Sequence, residues 1–287
     1  MGCVIDLHSH TTESDGTFTP AELLAEARSQ GVRLLAITDH DTLAGYDLAR
    51  PLAADGPIQL VCGIELSVKF HGQSVHLLGY FPQGDPGPDF RDWIAEMQSA
   101  RRDRNRRLVT RLRELGLGIT LEEVEALGRN MVGRPHFARL LVEKGYVSSM
   151  QQAFDEYLDA SAKGYVNRRE PTFAEGALGI RKAGGIASLA HPVRVKGDLG
   201  TMLAEMTGAG LNAIEAYHSD HDASQTSRYC ALAIRFDLLK TGGSDFHGDA
   251  KPGIKLGTGR DGNLRIPEDL WTSLRQSRLA AKIKRIQ

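Results

Sequence analysis

Six of the ten histidines in this chain fall at or just beyond the ends of short apolar runs rich in β-branched residues. His8 and His10 follow VIDL, His40 ends ITDHD, His76 lies in VHLLGY, His191 ends SLAHP and His247 lies in GSDFHG. Three carboxylates accompany them: Asp15, Glu65 and Asp245. Residues two apart on a strand point to the same side, so His8 with His10, and Asp245 with His247, can face one centre. An isolated histidine is more often a surface or core residue, and His71, His136, His218 and His221 fit that description. Six at strand ends with three carboxylates do not.

The apolar runs are 3–8, 34–38, 58–62, 74–80, 185–190, 213–217 and 238–241. Most are nearly continuous, as parallel strands buried on both faces require. Amphipathic helical stretches alternate with them, which is the pattern of βα units. In the first helix Thr19 can cap, Pro20 fits the first helical position, Glu22 completes a capping box and Gly31 supplies the stop. The expected fold is an α/β barrel of seven strands, whose active site forms at the C-terminal ends of the strands. A Pro/Gly-rich segment, PQGDPGPDF, breaks the alternation, and helices alone are expected over 89–115, 121–127, 135–144 and 149–159. The chain therefore divides into a barrel, 1–88 and 166–287, and an inserted helical subdomain, 89–165.

Composition narrows the function classes. With 287 residues, 41% hydrophobic and 25% charged, the chain can bury a large core and reads as an ordinary globular protein. Its net charge of -1 exerts no global pull on nucleic acid or membrane, so any anion affinity must be local. Cys3, Cys62 and Cys230 are far apart and form no CxxC pair, which fits a reducing cytoplasm better than a disulfide framework. The N-terminal apolar run is too short for a signal peptide, and no run reaches the roughly 20 residues of a membrane helix.

Nine N/O donors exceed what one ion takes, since zinc usually holds about four. Two or three divalent ions sharing a bridging carboxylate, with Glu65 as the bridge, is the economical reading. Without thiolates the donor set suits manganese, zinc or iron.

The ordered motifs DLHSHTTESDGT, AITDHDT, GIELS, VHLLGY, ASLAHP and GSDFHG resemble those of the PHP (polymerase and histidinol phosphatase) family. The resemblance implies a distorted (β/α)7 barrel with a trinuclear metal site. It also implies an allocation: His8, His10, Glu65 and Asp245 on one ion, Glu65, His76 and His191 on a second, Asp15, His40 and His247 on a third. Glu65, His191 and Asp245 are expected to serve catalysis as well. No ligand of the pattern is missing from this sequence.

The helical insert resembles one branch of that family, the nucleoside 3′,5′-bisphosphate phosphatases, some of which act as 5′→3′ exonucleases on short RNA. RRDRNRRL, GRPHFARLLVEKG and the place of the insert carry the likeness. From Gln98 to Glu170 there are 14 Lys+Arg against 10 Asp+Glu, a net +4 in a chain of net -1. An apolar stripe, Ile94, Met97, Leu108, Leu112 and Leu115, continues through a gap onto Arg101 and onto Arg104 or Asn105. Polar groups on a buried face suggest a lined cavity. Arg134, at a helix start, is the first choice for gripping a second phosphate. Arg104 and Asn105 follow, and Ser67 could add a hydroxyl near the metals. Arg168 and Arg169 read as solvated.

The expected reaction is hydrolysis of a phosphate monoester by hydroxide generated through metal coordination, on a 3′,5′-bisphosphate that loses its 3′-phosphate. His218, at the sixth strand end, is the candidate to protonate the leaving oxygen. The alternatives are 5′→3′ exonuclease action on short RNA with the same metals, or a metal-stabilised interaction module without chemistry, which missing ligands would have favoured. Histidinol phosphatase leaves the basic insert without a purpose. No obligatory protein partner is expected.

Overall fold

The computed structural model describes residues 4–128 and 131–276, so Cys3, expected at the start of the first strand, lies outside the described residues. One seven-stranded sheet runs in sequence order: β1 (Val4–Asp6), β2 (Val32–Ile37), β3 (Gln59–Phe70), β4 (Gln73–Phe81), β5 (Ile186–Leu189), β6 (Ala213–His218) and β7 (Leu239–Gly243). The paired ladder stops short of joining β7 to β1, but backbone bonds at and just past the strand ends bring its edges together. The Leu7 amide donates to the Gly242 carbonyl at 3.1 Å and the His10 amide to the Phe246 carbonyl at 2.9 Å. Gly243 permits this approach, since a Cβ there would stand 2.3 Å from the His8 Cβ. The result is the seven-stranded α/β barrel that the alternation predicted, distorted as the family resemblance implied.

One expectation is corrected. The strands are not all parallel: β1–β2–β3 and β5–β6–β7 are, but β4 runs antiparallel to both β3 and β5. The cause is local. Between β3 and β4 stand His71 (φ 47°) and Gly72 (φ 77°), two successive left-handed residues that make a two-residue hairpin loop. Strand β3 thus continues eight residues past Cys62, and Glu65 lies inside it rather than after it. His76 lies in the first half of β4, not beyond a strand end, yet reversal of β4 brings it to the same rim of the sheet. It pairs across the hairpin with Ser67.

Helices α1 (Pro20–Ser29), α2 (Ala44–Ala53), α7 (Phe173–Lys182), α8 (Leu199–Gly208), α9 (Ala223–Arg235) and α10 (Leu270–Gln276) accompany the sheet, and β8 (Ile254–Lys255) and β9 (Gly259–Arg260) form a small hairpin. The α1 capping box forms as expected: Thr19 Oγ1 accepts from the Glu22 amide at 3.3 Å, and Glu22 accepts from the Thr19 amide at 2.8 Å. Gly31 follows at φ 71°. Leu7, Val61, Leu78, Tyr80 and Ile186 belong to one buried cluster, and helix faces cover the sheet in two others.

Between β4 and α7 come α3 (Pro88–Glu114), α4 (Leu121–Glu125), α5 (Arg134–Glu143) and α6 (Met150–Ala153). The last passes into a π-helical turn, Phe154–Leu158, so the helix expected over 149–159 is not regular. These helices share an apolar cluster that includes Leu108, Leu112, Phe137, Leu141 and Leu158. On α3 the stripe is buried from Ile94 to Leu112, Leu115 is half-buried just past the helix end, and Arg101, Arg104 and Asn105 are buried in the gap. Among the described residues no helix is long and apolar enough to cross a membrane.

Candidate metal centre and active site

Glu65 is the hub. Its Oε2 lies 3.2 Å from His8 Nε2, 3.1 Å from His10 Nε2 and 3.2 Å from His40 Nδ1. Its Oε1 lies 2.9 Å from both His76 Nδ1 and His191 Nε2. Asp245 Oδ1 stands 3.5 Å from His8 and His10, and Asp15 reaches His247 Nε2 at 3.3 Å and His40 Nε2 at 3.7 Å. All nine residues expected at the site therefore meet at one rim of the barrel. His191 (φ 27°) and Asp245 (φ 56°) hold left-handed backbone conformations that side-chain-bearing residues seldom adopt, strain of a kind that clusters at functional sites.

Divalent ions fit this donor set. Ligand atoms about 2.1 Å from an ion stand roughly 3.4 Å apart at tetrahedral angles, close to the spacings here. His8 Nε2, His10 Nε2 and His40 Nδ1 are buried and make no hydrogen bond, each at a typical cost of about 1–3 kcal/mol that a shared cation relieves. Among the described residues four groups of donors lie within reach of a common centre. One is His8, His10, Glu65 and Asp245, as the family pattern implies; a second is Asp15, His40 and His247 with His10 added. A third joins His40, not His191, to Glu65 and His76. The fourth, His8, Glu215 and His218, was not expected.

Burial works against charge on Glu65, yet His40, His76 and His8 hold its carboxyl well below the usual range. Burial likewise opposes charge on Asp245, which Lys251, His247 and His8 keep ionised. Burial pushes His40 and His191 down to about 3, so both rings are neutral at pH 7 and offer lone pairs. His10 goes the other way: despite burial, the neighbouring carboxylates of Asp245 and Glu65 raise it to about 9.

Beside the donors opens a cavity of about 220 Å³, lined by Asp15, His40, Ser67 and His76 on the barrel side and by Arg101, Arg104, Arg134 and Arg168 opposite. Two of the four guanidiniums are committed. Arg101 pairs with Asp41 and donates to Ser67 Oγ at 3.1 Å; Arg168 reaches Asp41 at 3.3 Å and Glu170 at 3.1 Å. Among the described residues Arg104 and Arg134 have no carboxylate within ion-pair distance. Burial, then Arg101, Arg134 and Arg168, push Arg104 down to about 8.

Several expectations need correction. Arg168 is buried, not solvated, because Asp41 and Glu170 fold it inward, whereas Arg169 is exposed. Asn105 does not line the cavity: its amide donates to the Val132 carbonyl at 2.9 Å, tying α3 to the segment before Arg134. His218 does not line it either. It is buried behind Asp245, with Nε2 3.6 Å from Asp245 Oδ2 and Nδ1 accepting from the Asp220 amide. His136 and His221 are buried, and His71 is exposed beside Glu205.

Sequence reading missed the supporting carboxylates. Glu215 on β6 accepts from His8 Nδ1 at 2.8 Å and from the His191 amide at 2.6 Å, which turns His8 Nε2 toward Glu65. Asp39 accepts from Thr11 and Ser14 and so fixes the loop that carries Asp15. Asp41, at φ 52°, ties α3 to the barrel rim. The signal was present: a lone carboxylate inside the apolar strand AIEAYH, and two more flanking His40.

The PHP domain model matches residues 6–205. A 5′-3′ exoribonuclease of Haemophilus influenzae is 34% identical over 249 residues, covering 84% of this chain and 89% of its own length. A 3′,5′-nucleoside bisphosphate phosphatase of Chromobacterium violaceum is 32% identical over 265 residues, covering 90% and 92%. A solved structure from Bifidobacterium adolescentis, assigned as a metal-dependent phosphoesterase, superposes with a TM-score of 0.81 at 34% identity, covering 94% and 95%. A rim of converging histidines and carboxylates, on a fold and a sequence shared over most of the chain, places this protein in the PHP domain family, as a phosphoesterase.

Proposed function

We propose that this phosphoesterase removes the 3′-phosphate from nucleoside 3′,5′-bisphosphates. The observation that carries the reading is a pair of guanidiniums, Arg104 and Arg134, with no ion pair among the described residues, in a cavity that Glu170 also lines and that reaches Asp15, His40 and His76. A substrate with one phosphate over the donors and another on the same sugar suits that arrangement. A third anion-binding element is the start of α5, where Gly133 and Arg134 open a ten-residue helix. This assigns 89–165 to substrate recognition and 1–88 with 166–287 to the metal-binding barrel.

His8, His10, Glu65 and Asp245 would hold one ion, Asp15, His40 and His247 another, and Glu65 with His76 and His191 a third. Manganese suits these donors, with zinc or iron able to replace it. Bound ions would supply an acidified water and neutralise charge on the phosphoryl oxygens. Glu65, His191 and Asp245 serve catalysis by fixing where that charge is met. Asp41 holds Arg101 against Ser67, which orients the Ser67 hydroxyl at the cavity wall. Arg104 and Arg134 bind the 5′-phosphate and exclude substrates lacking it. His218 positions Asp245 instead of donating a proton. The cytoplasm suits the free thiols Cys62 and Cys230.

A phosphate-release screen with manganese, across nucleoside 3′-, 5′- and 3′,5′-phosphates and histidinol phosphate, tests this reading. The bisphosphate should give the highest kcat/KM. A 5′-monophosphate or histidinol phosphate equalling it would overturn the assignment.

A further inference from the structure

Two of the four guanidiniums in the arginine-lined cavity share one carboxylate oxygen. Asp41 Oδ2 pairs with Arg101 and with Arg168, the second at 3.3 Å. Its Oδ1 accepts from the Ser67 amide at 2.8 Å, and its backbone carbonyl accepts from Gln98 Nε2 at 2.9 Å. Groups from α3, β3 and the segment before α7 thus converge on one residue that is 2% exposed. Arg168 is held from its other side by Glu170 at 3.1 Å, and Glu170 in turn pairs with Lys69 at 3.1 Å.

Arg101 lies where a second phosphate would sit. A Cβ on Gly133 would stand 3.1 Å from Arg101 Nη1, so the guanidinium rests against the start of α5, beside Arg134. Its bonds to Asp41 and to Ser67 Oγ both run from Nη2, and its Nε is buried without a hydrogen-bond partner.

Charge then decides what fits. A phosphate monoester carries about −1.5 to −2 near pH 7, which two guanidiniums match. Arg104 and Arg134, with no carboxylate within ion-pair distance among the described residues, supply that pair. A diphosphate in the same place brings a second phosphoryl group and further negative charge. That group would find Arg101 and Arg168 already held, and would meet the like charges of Asp41 and Glu170. Discrimination of this kind comes from repulsion of the wrong ligand as much as from attraction of the right one.

We propose that Asp41 is a specificity-determining residue: by holding Arg101 and Arg168 it limits the cavity to a single phosphate monoester, so that a nucleoside 3′-phosphate bearing a 5′-diphosphate is rejected in favour of one bearing a 5′-monophosphate. Asp41 touches no reacting atom and acts through the two arginines. The inference rests on the proposed placement of the 5′-phosphate.

The test compares kcat/KM for loss of the 3′-phosphate from a nucleoside 3′,5′-bisphosphate and from a nucleoside 3′-phosphate 5′-diphosphate, with manganese and with products resolved by chromatography. The scissile group is common to both, so the ratio reports on the far end alone. The wild type should favour the bisphosphate about tenfold or more, the effect of roughly 1.4 kcal/mol. Asp41→Asn releases Arg101 and Arg168 and should shift that ratio about tenfold toward the diphosphate, even where both rates fall because His40 is adjacent. Adding Arg101→Gln to Asp41→Asn restores the sum of charges and should return the ratio to near the wild-type value. Loss of one partner of a buried ion pair is destabilising, so calorimetry checks that each variant is folded. If Asp41→Asn is not, Glu170→Gln, which loosens Arg168 from its other side, should shift the ratio the same way. A wild type that takes both substrates equally, a ratio unchanged in Asp41→Asn or in the Glu170→Gln that stands in for it, or a double variant that keeps the altered ratio would overturn the proposal. A wild type inactive on the bisphosphate overturns the proposed function instead.

Discussion

Replacing Arg134 by Ala separates recognition of a second phosphate from chemistry on the first. Arg134 is half-buried at the start of α5, and among the described residues its side chain makes a single hydrogen bond, from Nη1 to the Leu158 carbonyl at 3.4 Å, the outer limit of such a bond. Its loss should therefore shift stability little, within about 0.5 kcal/mol. Its guanidinium lines the same cavity as Arg104 and Glu170, and among the described residues no carboxylate stands within ion-pair distance of it. A charge-assisted contact is worth about 1.5–3 kcal/mol, so kcat/KM for a 3′,5′-bisphosphate should fall roughly ten- to a hundredfold. A 3′-monophosphate, with no second phosphate to lose, should be hydrolysed almost as by the wild type. Arg134→Lys should recover only part of the loss, because an ammonium cannot make two parallel bonds. Steady-state phosphate release on the two substrates, with thermal denaturation in parallel, decides it. Equal losses on both would show that Arg134 serves the reacting phosphate or the fold.

Three further outcomes follow from the same geometry. Arg104→Met removes a buried, unneutralised cation, so it should raise Tm while lowering kcat/KM for the bisphosphate, a trade of function against stability; calorimetry and kinetics on one preparation check both. Asp245→Asn should lower kcat far more than it raises KM, since Asp245 joins the His8, His10 and Glu65 group; near wild-type turnover with full metal content would remove it from the site. Metal binding should release protons. His10, raised to about 9, is protonated at pH 7 without ions, and its contribution to ion-free stability is complete below about 6.5 and lost as pH rises through about 9. Ion affinity should therefore increase with pH across that window, and titration calorimetry in buffers of different ionisation enthalpy reads the proton count; no buffer dependence would contradict the donor assignment of His10.

Much of the site was legible because strand periodicity and metal chemistry share a spacing. The HSH and DFH pairs had to point one way, and Glu65 stood out as a carboxylate after the apolar run LVCGI, although the strand was read as ending before it. The buried arginines of α3 were legible for the same reason, as an interruption in a helical stripe. What escaped depended on contacts far apart in sequence. The reversal of β4 turns on the His71–Gly72 loop, and without it His76 reads as a strand-end residue. Arg168 looked solvated because its partner, Asp41, lies 127 residues away. Asn105 and Arg104 are adjacent on one helix, and only the packed position of the segment at Val132 shows which of them turns to the cavity. Glu215 was passed over because a carboxylate in a strand has no meaning until the histidine behind it, 207 residues distant, is in place.

The central claim is that these donors form a polynuclear centre on which phosphate release depends. Chelator-treated protein, titrated with manganese while bound metal and phosphate release from a nucleoside 3′,5′-bisphosphate are measured together, tests it most directly. Activity should be absent at the start and reach its plateau at two or three ions per chain, the number the donor groups around Glu65, Asp245 and Asp15 can share. Full activity in protein holding one ion or none would contradict the account.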